Sequence, residues 1–167
     1  MSRLDHLNEL PAEDVIDQLM TCLRSRVWAA DVLSRRPYRS LADLEDQAMA
    51  AARGLSDAEL GVALAAHPRI GERPDGVGAE ARFSRAEQAG VGSGSATAAA
   101  LREVNDAYEA RFGRVFLIRA AGRDAAEILA AARERLVHDL AAEGRVVREQ
   151  LGEIAVLRLR ALLESFA

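Results

Sequence analysis

The chain is predicted to be all-α, on three observations. Apolar residues make up 50% of it but aromatics only 4%, and alanine supplies much of the apolar share. That profile suits close-packed helices better than sheets, which favour β-branched and aromatic side chains. Apolar residues recur at spacings of three and four along most of the sequence, the period of a helix with one buried face. The one strand-like run, Val115-Phe-Leu-Ile118, has no second such run to pair with, so it is expected to be a buried extended segment. At 167 residues the chain is expected to form a single compact domain over 1–167, with about eight helices and a long Gly/Pro-rich active-site loop.

Taken in order, Leu4, Leu7 and Leu10 precede Pro11-Ala-Glu-Asp14, where proline followed by acids marks a helix start. Val15, Ile16, Leu19, Met20 and Leu23 then follow at helical spacing. A helix over 26–34 carries Trp28 and stops before Pro37, and another over 40–53 is closed by Gly54. Ser56-Asp-Ala-Glu59 is a capping box opening a helix that leads to His67, where Pro68 forces its neighbour out of the α region. After the loop, Ser84-x-x-Glu87 resembles a second capping box and predicts a short helix over 84–91. Gly92-Ser-Gly-Ser95 reads as a flexible joint. Helices are expected over 97–112, closed by Gly113, over 124–138 with Asp124 as cap, and over 143–165.

Several function classes are disfavoured. A net charge of −4 and a pI near 5.5 lack the basic face of a nucleic-acid binder. No apolar run approaches a membrane span, and the first residues lack a signal-peptide pattern. The single Cys22 allows no internal disulfide and fits a reducing compartment, so a cytoplasmic location is expected. No His/Cys spacing fits a metal site. Gly90-x-Gly92-x-Gly94 follows no strand and lacks a dinucleotide-binding context. The 22 basic residues are all Arg. An Ala-rich helical surface is compatible with a homodimer without requiring one.

The stretch 67–88 holds the candidate chemistry. His67 stands at a helix end, before proline, at the mouth of a long loop, and imidazole exchanges protons near neutral pH. A solitary histidine is also often structural. Glu87 is a carboxylate at the loop's exit, unless it folds back on Ser84 as a cap. Gln88 carries donor and acceptor on one amide, suited to a urea-like group, although an exposed helical Gln is common. In the last helix Arg158 lies four after Ile154 and four before Leu162, inside the apolar stripe, whereas Arg160 aligns with Glu153 and Glu164 on the polar side. A guanidinium on that stripe must find an anion or snorkel outward. Cys22, Trp28 and Tyr108 read as core, and His6 and His138 as solvated surface residues.

These residues lie in motifs that together resemble the OHCU decarboxylase family of urate degradation (OHCU is 2-oxo-4-hydroxy-4-carboxy-5-ureidoimidazoline). The motifs are His67-Pro-Arg-Ile-Gly71, Phe83-Ser-Arg-Ala-Glu-Gln88, Asn105-x-x-Tyr108-x-x-Arg111-Phe-Gly113 with Val115-Phe-Leu-Ile118, and Glu153-Ile-Ala-x-Leu-Arg-Leu159. They span nearly the whole chain. The resemblance implies a cofactor-free, metal-free carboxy-lyase that makes S-allantoin and carbon dioxide from a small anionic substrate. It assigns acid/base catalysis to His67 and Glu87, and substrate contact to Pro68, Ser84, Gln88 and Arg158. It also implies that the segment Ile118, Arg119, Ala120, Ala121 and Gly122 meets the ring through its backbone. Arg119 stands where many relatives carry Cys, and the loop reads Arg-Ile-Gly-Glu where Asp-Leu-Ala-Gly is commoner. Two other readings use the same residues: a helical protein-interaction domain, and a hydrolase or lyase acting on a related ureido compound.

Overall fold

The computed structural model describes residues 2–72, 79–91 and 94–166, and for 79–81 the backbone alone. Residues 73–78 of the expected loop and 92–93 of the expected Gly-Ser joint lie outside the described residues. Nine helices are found among the described residues, and no strand: α1 (Arg3–Glu9), α2 (Ala12–Cys22), α3 (Arg26–Ser34), α4 (Leu41–Arg53), α5 (Asp57–Leu64), α6 (Ala79–Glu87), α7 (Ser95–Phe112), α8 (Ala125–Arg135) and α9 (Leu140–Ser165). They fall into two units, the first made of Met1–Ala63 with Leu151–Ala167 and the second of Leu64–Gln150.

In the first unit α2 packs on α3 and α3 on α4. Their spacing buries Val15, Ile16, Leu19 and Cys22 from α2, Trp28, Ala29 and Val32 from α3, and Leu44, Ala48 and Ala52 from α4. Ser25 and Ser40 accept hydrogen bonds from the third N–H of their helices, as N-caps do. The Trp28 indole donates to the Ala48 carbonyl at 2.9 Å, so its ring is buried with its one polar atom satisfied. Burial pushes the Cys22 thiol up to about 12, which fits an inert core sulfur.

Helix α1 was not expected. Its signal is a reciprocal capping box between Ser2 and Asp5, and Arg36 then closes its other end by donating to the carbonyls of Leu7 and Leu10. His6 is likewise not a solvated residue: its ring meets Phe166 edge-on with centroids 4.8 Å apart. In α9, Gly152 allows Met49 and Ala52 to approach closely, with Met49 Sδ only 2.8 Å from where a Cβ would stand. Gly152→Val is therefore expected to overpack this contact by about 1–3 kcal/mol, read as a melting temperature several degrees lower. An unchanged melting curve would contradict the tight packing.

The second unit is built on one apolar cluster, in which Ile70, Leu101, Val104, Tyr108, Phe116, Ile118, Ala120, Ile128 and Ala132 are buried together. Helices α7 and α8 pack against each other and supply most of it. As expected, 115–118 is extended and not helical, and Phe116, Leu117 and Ile118 are buried. Gly113 ends α7 in the left-handed conformation (φ 66°), where a Cβ would be strained. Asp124 and Glu127 form the expected capping box at α8. Helix α9 begins at Leu140, earlier than expected, because the Asp139 side chain accepts from Ala142 N–H at 2.7 Å.

A buried polar network lies beside this cluster. Glu143, fully buried, accepts from Arg135 Nε and Nη2 at 2.9 and 2.6 Å and from the Tyr108 hydroxyl. His138 Nδ1 lies 2.9 Å from its other oxygen, so His138 is not the solvated residue the sequence suggested. Arg135 gives its remaining terminal nitrogen to the Leu117 carbonyl at 2.7 Å and stacks over Phe116 at 4.6 Å.

Candidate active site

Three separated pieces of the second unit meet. The first is 67–72, entered from α5: the His67 N–H donates to the Leu64 carbonyl at 2.9 Å, which ends the helical run just ahead of Pro68. His67 and Pro68 are half-buried. Ile70 anchors the piece in the apolar cluster, and its carbonyl accepts from the buried Asn105 amide of α7 at 3.0 Å. Gly71 then turns the chain with φ 85°, and the space a Cβ would need is taken by Leu101 Cδ1 at 2.9 Å.

The second piece is α6 and the turn after it. Ser84 does not cap a helix here. Helix α6 starts at Ala79, five residues earlier, because Ala79-Glu-Ala-Arg-Phe83 are residues a helix tolerates well. Ser84 is thus inside the helix and buried, and Glu87 is its last residue, half-buried. The capping-box reading of Ser84 and Glu87 is overturned, and the Glu87 carboxylate is not folded onto an N-terminus at Ser84. Gln88 follows in the turn, and its Oε1 accepts from the Gly71 N–H at 2.9 Å, joining the first two pieces.

The third piece is 118–123. Ile118 and Ala120 belong to the same buried cluster as Ile70. Arg119 donates its backbone N–H to Gln150 Oε1 at 3.0 Å, so that N–H is engaged within the protein. Ala121 and Gly122 form a turn closed by Arg123 N–H to the Ala120 carbonyl at 3.0 Å, with Gly122 at φ 80°. Gly90 brings the second piece against this turn, since a Cβ there would stand 3.2 Å from the Arg123 carbonyl, and Val91 packs on the shared cluster.

Arg158 belongs to the first unit. It is 4% exposed, so the guanidinium does not snorkel to solvent, and its Nη1 donates to the Cys22 carbonyl at the end of α2, 3.3 Å away. Arg160 is exposed and pairs with both oxygens of Glu45 at 2.6 and 2.7 Å, as its place on the polar face implied. That pairing holds the Glu45 carboxyl below its usual range.

Two features were missed in the sequence. Arg69 donates to Glu109 at 2.7 Å and Asp106 at 2.6 Å on α7, with Glu72 at 3.5 Å. No local pattern announces this pairing, which depends on α7 lying beside the loop. The Arg135–Glu143 pair was detectable: Arg135 lies seven after Ile128 and three after Ala132, on its helix's apolar stripe, the argument applied to Arg158. Among the described residues no three His, Cys, Asp or Glu side chains are grouped to hold a metal ion, and no helix is long and apolar enough to cross a membrane.

A family model described as OHCU decarboxylase matches residues 8–160. A 2-oxo-4-hydroxy-4-carboxy-5-ureidoimidazoline decarboxylase of Haloferax volcanii is 28% identical over 160 residues, covering 93% of each chain. A uric acid degradation bifunctional protein of a Bacillus species is 27% identical over 99% of this chain, which spans only 33% of that longer protein. Among solved structures, an OHCU decarboxylase crystallised in the presence of (S)-allantoin superposes with a TM-score of 0.73 at 24% identity, covering 89% of this chain and 99% of that one.

Proposed function

The chain belongs to the OHCU decarboxylase family, and from that premise we propose that it converts OHCU to S-allantoin and carbon dioxide in urate degradation. The observation that carries this reading is the family match across 8–160, which takes in every residue considered for the site. The meeting of 67–72, 84–91 and 118–123 on one cluster supports it, since the residues proposed for the site from the second unit, His67, Pro68, Ser84, Glu87, Gln88 and 118–122, lie in those three pieces.

The chemistry follows from the substrate. Its carboxylate leaves from a ring carbon that also bears a hydroxyl and adjoins a C=N bond. When the C–CO2 bond breaks, its electron pair forms a C=C bond to the neighbouring carbon and the C=N pair moves onto nitrogen, which takes a proton. The resulting enol becomes the product when the neighbouring carbon gains a proton and the hydroxyl loses one. The substrate therefore supplies its own electron sink. The task left to the protein is to hold the anion and protonate one face.

We assign the proton delivery to His67, imidazole being the side chain best suited in general to give and take a proton near neutral pH, and the holding of the 4-hydroxyl or the imidazole to Glu87. Pro68, Ser84, Gln88 and the backbone of 118–122 are the candidate lining, and the substrate carboxylate is the anion assigned to Arg158. A cytoplasmic setting is part of the same proposal, in keeping with the lone, buried Cys22 thiol.

The test mixes purified protein with freshly generated OHCU and follows the circular dichroism of the product. An S-allantoin signal that grows faster than in buffer is expected. A flat trace, with the slow racemic decay unchanged, overturns the decarboxylase reading.

A further inference from the structure

We propose that Arg69 is a positioning residue for His67: its guanidinium, held by Asp106 and Glu109 of α7, fixes the backbone from which the imidazole reaches the substrate. The proposal rests on the reading of His67 as the proton donor. The geometry is that of a fork. Nε donates to Glu109 Oε1 at 2.7 Å and Nη2 to Asp106 Oδ1 at 2.6 Å, so one edge of the guanidinium spans two carboxylates about a helical turn apart. A planar guanidinium can make both bonds at once, whereas an ammonium is a point charge and lacks that fork.

The link from this clamp to His67 is short and stiff. The two α-carbons are at most about 7 Å apart along the chain. Between them stands Pro68, whose ring locks its own φ and restricts His67 to extended conformations. A shift at Arg69 is therefore passed on to His67 with little slack. Beyond Arg69, the bonds from Asn105 to the Ile70 carbonyl and from Gly71 to Gln88 hold the rest of the piece.

The clamp is poorly placed to serve stability. The side chains are 26% exposed at Arg69, 69% at Asp106 and 35% at Glu109, and ion pairs open to solvent add little to folding. Its loss should appear in catalysis.

The experiment compares Arg69→Ala, Arg69→Lys and Glu109→Gln with the unmodified protein and with His67→Ala, measuring kcat, KM, the enantiomeric purity of allantoin with enzyme in excess, and thermal melting. The expected result is a kcat lower by about tenfold or more with KM changed by less than about threefold, because misplacing a reacting group by 1 Å can cost about 10²-fold. Enantiomeric purity falls as solvent competes for the misaligned intermediate, and melting stays within about 4 °C. Arg69→Lys, which keeps the charge and loses the fork, should not restore the rate. The proposal is overturned if Arg69→Lys and Glu109→Gln keep the original kcat and purity, or if lost activity follows lost folded protein. Full activity in His67→Ala would instead remove the reading beneath it.

Discussion

His67→Ala is expected to keep its fold and lose about 10²–10⁴-fold in kcat, the range that a placed acid–base group contributes. His67 is half-buried at a helix end, outside the buried cluster of the second unit, so truncating the ring leaves no large cavity. The backbone N–H bond to Leu64 is made by the main chain and survives the change. Any allantoin still formed should be close to racemic, because the proton would come from water on either face. Glu87→Gln, which keeps the shape and removes the charge, should lower kcat within the same range if the carboxylate holds the hydroxyl or the imidazole. Single-turnover kinetics read with chiral detection check both variants. An S-selective His67→Ala enzyme at the original rate would exclude this histidine from the proton transfer.

Glu143→Gln is expected to have the largest effect on stability. Removing one partner from a buried ion pair costs about 3–5 kcal/mol because the other charge is left uncompensated, here Arg135. For a domain of this size that corresponds to a melting temperature on the order of 10 °C lower. Glu143→Leu combined with Arg135→Met should recover most of the loss, since an apolar replacement of the whole pair removes both charges.

The pH dependence follows from the same network. Burial alone pushes the Glu143 carboxyl up. The hydrogen bonds from Arg135 and Tyr108, the Arg135 charge and the bond to His138 outweigh it and leave the carboxyl below its ordinary 4.5. A carboxyl lowered on folding contributes stability that is complete above its unfolded value and is lost as pH falls through the folded one. Denaturant titrations from pH 6 downward should therefore show the unmodified protein losing stability below about pH 4.5, with a flatter acid limb in Glu143→Gln. Equal slopes in the two proteins would argue against this role.

What the sequence disclosed was mostly local. The capping boxes at Ser56 and Asp124, the left-handed Gly113 and the buried run at 115–118 each depend on a few consecutive residues, and each is found in place. The failure at Ser84 shows the limit of such patterns. Ser-x-x-Glu describes a helix start only if no helix is already running, and Ala79–Arg82 had begun one. Helix α1 escaped because its seven residues give little periodicity, although Ser2 and Asp5 carried the cap. The roles of His138 and Arg69 depend on partners brought close by folding, so spacing alone could not assign them. For the candidate site, the residues were legible as motifs, while the engagement of Arg119 N–H by Gln150 and of Gln88 by Gly71 was not.

The bond between Gly71 and Gln88 has a chemical consequence for selectivity. A main-chain amide can only donate, so it fixes which end of the Gln88 carboxamide turns toward it, and the NH2 end is the one left to meet a guest. Any atom of a bound molecule that touches this side chain there must bring a lone pair. On the proposed placement of Gln88 in the site, its NH2 end would meet a ring or ureido oxygen, while Oε1 keeps one further lone pair.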